Sequence, residues 1–90
     1  MASIVEIAVA NLKEATRLEI NWKVRGTNIG LLTIRIENKR IELHTVVKNH
    51  IRMQQIHEIL SKYNPELIIA NKIYEKEKEF LRERGIGFLE

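Results

Sequence analysis

Apolar residues recur along this chain in two rhythms, and the switches between them mark the elements. Near the N-terminus Val5, Ala8, Leu12 and Ala15 return at helical spacing. Ser3 stands where a helix N-cap belongs, with Glu6 three residues on in the capping-box position. The pattern fades near Thr16 or Arg17. From Leu18 to Val24 the period falls to two, with Leu18, Ile20 and Trp22 on one face and Glu19, Asn21 and Lys23 on the other. Gly26-Thr27-Asn28 interrupts this strand. Leu31 to Glu37 alternates again and places Leu32, Ile34 and Ile36 together. Asn38-Lys39 is the expected tight turn, because Asn tolerates positive φ. Arg40 to Lys48 returns as a strand with Ile41, Leu43, Thr45 and Val47 on one face and Glu42, His44, Val46 and Lys48 on the other.

Helical spacing resumes from His50 to Tyr63, where Met53, Ile56, Leu60 and Tyr63 form a core stripe, and Asn64-Pro65 stops it. Leu67-Ile68-Ile69-Ala70 is a continuous apolar run, as in a strand covered on both faces. Ile73 to Arg84 predicts a third helix, polar outside Ile73, Phe80 and Leu81, with Gly85 as its C-terminal cap. Ile86 to Leu89 closes the order α-β-β-β-α-β-α-β. A meander followed by crossovers implies an α/β fold of the mixed α+β kind, one mixed sheet flanked by helices. No repeat, linker or low-complexity stretch divides it, so residues 1–90 read as a single domain.

Composition sharpens this picture in few places. The chain has 90 residues and a net charge of +3, enough for one core but small enough to gain from pairing with itself or a neighbouring domain. Cysteine is absent, which excludes disulfides and thiolate metal sites and fits a cytoplasmic protein. No apolar run approaches a membrane span, and Glu6 interrupts any signal-peptide layout. The mild positive charge is compatible with a nucleic-acid partner without demonstrating one.

Three passages carry a family likeness. Asn28-Ile29-Gly30-Leu31-Leu32-Thr33-Ile34 resembles the Asp-Gly-x-Leu-x-Ile start of a second core strand. Asn38 to Lys48, ending Thr45-Val46-Val47-Lys48, resembles a hairpin and Glu-x-Lys strand. Leu67 to Ile73, followed by Phe80-Leu81-Arg82-Glu83-Arg84-Gly85-Ile86-Gly87-Phe88-Leu89-Glu90, is the most specific. In this order and spacing the passages resemble the PD-(D/E)XK, or restriction-endonuclease-like, fold. They are most similar to a bacterial subgroup joined to further sequence, sometimes winged-helix DNA-binding domains, and including type IV antitoxins and transcriptional regulators. The resemblance implies a longer protein that continues past Glu90.

It also implies a site. Active members hold Mg²⁺ between an Asp of the second strand and the acid of Glu-x-Lys, while the lysine assists the attacking water. Residues i and i+2 of a strand share a side roughly 6.6 Å apart, so one ion can serve both. Here Lys48 matches the lysine, but Val46 takes the acid's place, and Ile29, beside Asn28, takes the first acid's. A valine offers a metal no lone pair, and Mg²⁺ requires hard oxygen ligands. Lys48 is therefore the vestige of a catalytic motif, and neither a catalytic set nor a metal site is expected. Glu6 and Glu58 are the candidates for relocated carboxylates in the alternative, an active Mg²⁺-dependent nuclease. Glu42 and His44 share the face of Lys48 but lie roughly 20 and 13 Å along the strand from it.

The remaining chemistry is weaker. His44, His50 and His57 match no metal-binding spacing; the last two are about 10 Å apart along a helix. Lys48, Asn49, His50 and Arg52 read as a basic turn at the start of the second helix, either a phosphate-holding site or an ordinary solvated helix start. Tyr74 to Arg84 is a solvated helix face with i,i+3 charge pairs, and Trp22 and Tyr63 are expected in the core. Three functions follow: a catalytically inactive nuclease-like domain binding nucleic acid or a partner's acids through Lys48, Asn49, His50 and Arg52; the active nuclease; or a homodimer in which the strand around Phe88 extends a sheet across a twofold axis.

Overall fold

A computed structural model describes residues 3–90. Its elements follow the expected order: α1 (Ile4–Thr16), β1 (Glu19–Gly26), β2 (Ile29–Ile36), β3 (Lys39–Ile51), α2 (Met53–Lys62), β4 (Leu67–Ile73), α3 (Glu75–Glu83) and β5 (Gly87–Leu89). The five strands form one sheet in the order β1-β2-β3-β4-β5. The first three make an antiparallel meander, and β4 and β5 run parallel to β3. The parallel joins require crossovers, which α2 and α3 supply.

Each face of the sheet has its own core. Val5 and Val9 of α1 pack with Ile20, Leu32, Val47, Leu67 and Ile69. On the opposite face Ile56 and Ile59 of α2 and Leu81 of α3 pack with Val46, Ile51, Ile68, Ala70 and Ile73. Strand β4 lies between the two, so the run Leu67–Ala70 is buried throughout, as an apolar stretch without alternation requires. The outer meander is covered on the α1 face only, and Glu19, Asn21, Lys23, Thr33, Arg35 and Arg40 line an open polar surface on the other. No helix among the described residues is long and apolar enough to cross a membrane.

Local signals explain most boundaries. The Ser3 hydroxyl accepts the Glu6 N–H at 3.1 Å and so caps α1. Gly85, at φ +70°, ends α3. Its N–H donates to the Arg82 carbonyl and that of Ile86 to Leu81, the paired bonds of a Schellman motif.

Five expectations are corrected. Ile73, expected to open the third helix, is the last residue of β4, and α3 begins at Glu75. The stripe of α1 is centred on Val5 and Val9, with Ala15 exposed. In the hairpin between β2 and β3 the turn is Glu37-Asn38, because Lys39 already pairs with Ile36, and Glu37 rather than Asn38 takes the positive φ of 54°. Strand β3 runs to Ile51, three residues beyond Lys48, and α2 begins only at Met53. Tyr63 caps α2 on the outside at 37% exposure, and Ile59 fills the core position instead.

Candidate functional site

Strand pairing brings the two motif positions together. Ile29 is the direct cross-strand partner of Val46, and the Val47 N–H donates to the Asn28 carbonyl at 2.8 Å. The sites where the resemblance implies two carboxylates are thus adjacent in space, and both carry hydrocarbon side chains. Val46 does not open on a cleft: it is 1% exposed and belongs to the core beneath α2 and α3.

A cleft does form on the α1 side, next to Asn28 and Ile29. It has a volume of about 280 Å³ and is lined by Ser3, Val5, Trp22, Val24, Ile29 and Val47 among others. None of its lining residues is acidic; Ser3 and Asn28 provide the side-chain oxygens. Glu6 stays outside this lining, and Glu58 is exposed on α2, across the sheet. Among the described residues no group of three or more His, Asp or Glu side chains could hold a metal ion. His44, His50 and His57 do not converge; His57 packs edge-on against Phe80 at 5.3 Å.

The basic residues are arranged differently from a helix-start turn. Lys48, Asn49 and His50 are strand residues, and Arg52 alone belongs to the helix start, as the N-cap of α2. The Gln55 side-chain oxygen accepts the Arg52 N–H at 2.8 Å, which fixes that corner. Alternation along β3 would send Val46 and Ile51 to opposite faces, yet both lie in the α2–α3 core. The pleat therefore shifts beyond Lys48. Strand β4 shifts with it, since Ala70 and Ile73 also share that core, and the register resumes with His50 beside Lys72 and Ile51 beside Ile73.

The outcome is a basic rim at the C-terminal ends of two neighbouring parallel strands, the end of an open α/β sheet where ligands generally bind. Lys48 is half-buried there, and His50, Arg52 and Lys72 are exposed. The Arg52 guanidinium lies 3.9 Å from the centre of the Tyr74 ring, and the Lys72 ammonium 5.6 Å from the same ring. Two cations are thus gathered on one aromatic platform. None of these four basic residues makes an ion pair within 4.0 Å among the described residues.

An organised acid, Glu90, sits against the end of β4. It accepts a hydrogen bond from Lys78 and from the Ile73 N–H, each at 2.8 Å. These bonds, with the charges of Lys78 and Lys72, hold its carboxyl below the usual carboxylate range. Lys72 and Tyr74 were absent from the sequence expectation. Lys72 follows the buried run Leu67–Ala70 by two residues, but only the parallel register of β3 and β4 places it beside His50. No protein-family model, curated protein or solved structure matches the chain.

Proposed function

We propose that this chain is a nuclease-like domain, similar to the PD-(D/E)XK group but without its metal chemistry. It serves as a nucleic-acid-binding or regulatory module of a bacterial DNA-associated protein. The observation that carries this reading is the rim itself: His50 and Lys72 lie side by side at the ends of β3 and β4, Arg52 and Lys72 share the Tyr74 ring, Lys48 stands two residues before His50, and none of the four makes an ion pair within 4.0 Å among the described residues. Cations outside close ion pairs are suited to phosphate oxygens, which they hold through charge and hydrogen bonds. Tyr74 has Arg52 and Lys72 against its ring, so its role is to position cations rather than to stack on a base. Hydrocarbons at Ile29 and Val46 support binding without hydrolysis.

The test is titration of a fluorescent duplex at several salt concentrations. Three permanent cations at phosphates give a slope of log affinity against log salt of about −2.7. Lys72→Ala then lowers that slope by about one. A flat salt response, or equal affinity after Lys48→Ala, Arg52→Ala and Lys72→Ala, refutes phosphate binding here. Cleavage in Mg²⁺ or Mn²⁺ that disappears in Lys48→Ala establishes the active-nuclease alternative instead.

A further inference from the structure

The sheet has two free edges, β1 and β5. Strand β5 offers three residues, whereas β1 offers eight, Glu19–Gly26. An edge strand presents a row of backbone donors and acceptors that another strand can complete. The side chains of β1 add two features. Val24 is 69% exposed, the most exposed large hydrophobic side chain among the described residues. Glu19, Asn21 and Lys23 alternate on the uncovered face with an acid and a base placed symmetrically about Asn21.

We propose that two copies of this chain join β1 to β1, antiparallel, about a twofold axis at Asn21. In that register Glu19 of each copy lies opposite Lys23 of the other, so one acid–base pair forms at each end of the contact, with Arg17 and Arg25 opposite each other only beyond the regular pairing. Ile20 meets Trp22 and Leu18 meets Val24, giving the exposed valine an apolar neighbour on the α1 side. The pairing of β1 with β2 is regular from Glu19 to Val24 and shifts only between Val24 and Gly26, so every residue this register needs within the strand is in undistorted backbone.

Neighbouring registers fare worse. An axis at Trp22 also offers an acid–base pair, Glu19 with Arg25, but takes Arg25 from the shifted segment and sets Asn21 against Lys23. An axis at Ile20 sets Arg17 against Lys23 and loses the acid–base pair. A lysine on an edge strand ordinarily deters unselected partners, and only a copy that presents Glu19 opposite it removes that deterrent. The existing Glu19–Arg35 contact is long, at 3.9 Å, and exposed on both sides, so it leaves Glu19 available.

Sedimentation velocity on the whole chain over a concentration series tests this, with Glu19→Lys, Lys23→Glu and the double charge swap. Both side chains are exposed, so the fold, checked by circular dichroism, is unaffected. A concentration-dependent dimer is expected for the unaltered chain. Each single variant sets like charges opposite each other at two places and weakens the dimer about tenfold. The double swap restores it. A chain that stays monomeric up to millimolar concentration, single variants that dimerise as well as the original, or a double swap as weak as its parents would each overturn the proposal.

Discussion

Placing a carboxylate at position 46 tests the site reading most directly. Val46→Glu puts an acid where the resemblance implies one, but the structure places that side chain in the core with Ile51, Ile56, Ile59 and Ile68. Three losses combine. The apolar burial of valine is forfeited, about 1.5 kcal/mol or more. A longer side chain overpacks a filled core, about 1–3 kcal/mol. The carboxyl is stripped of water without a partner, about 1–3 kcal/mol, and its pKa rises because burial disfavours the charged form. The total is on the order of 4–7 kcal/mol, against a global stability of roughly 5–13 kcal/mol for a chain of this length. The variant should therefore be barely folded at neutral pH. The sign of its pH dependence follows: a carboxyl with a raised folded-state pKa binds its proton more tightly in the folded state, so stability lost at pH 7.5 is partly regained at pH 5. Urea denaturation followed by circular dichroism at the two pH values measures both effects. A variant with the original midpoint that binds Mn²⁺ in a calorimeter would show that position 46 opens on a cleft, and the argument from core packing would fail.

Two further outcomes follow from the packing. A Cβ added at Gly30 would collide with the Trp22 ring and lie 2.7 Å from the Lys23 carbonyl oxygen, which is backbone and cannot step aside; Gly30→Ala should lower thermal or urea stability by about 1–3 kcal/mol. Glu90 has a folded-state pKa below the usual carboxylate range, set by Lys78 and the Ile73 N–H, so its contribution is present at neutral pH and lost as acid titrates the folded carboxylate. Glu90→Gln should accordingly be less stable than the original chain near pH 7 and indistinguishable from it once pH falls below that titration, as acid-unfolding curves would report.

The sequence was most legible where one side chain decides the local outcome. Ser3 can cap a helix by itself, Gly85 can take a positive φ without strain, and the short continuous apolar run Leu67–Ala70 suits a strand covered on both faces. It was less legible where the outcome depends on a partner. Alternation ends at Lys48, which predicts a strand end there; the strand continues to Ile51 because β4 runs alongside and shifts its pleat in step. No local signal announces that. The same dependence hid Lys72, whose neighbour His50 is 22 residues away and is fixed by parallel pairing. Glu37 takes the left-handed position that Asn38 suits better because the Ile36–Lys39 pair fixes where the hairpin closes. Register overrode residue preference at that turn.

Under the proposed reading, hydrocarbons in place of two acids change more than the capacity for catalysis. A phosphodiester approaching a pair of carboxylates is repelled until a divalent ion cancels their charge, so binding at an acid-bearing site is tied to the metal. With Ile29 and Val46 in those places, that repulsion is absent and the lysine two residues on has no carboxylate partner within 4.0 Å among the described residues. Under the proposed reading the rim of Lys48, His50, Arg52 and Lys72 then attracts phosphate whether or not Mg²⁺ is present. Added Mg²⁺ acts only as a competitor for the backbone, in the manner of any other salt. Duplex titrations in chelator and in Mg²⁺ at matched ionic strength separate the cases: comparable or slightly weaker binding with Mg²⁺ fits a rim of bare cations, whereas affinity that appears only with the ion requires carboxylates at the contact and rejects this assignment.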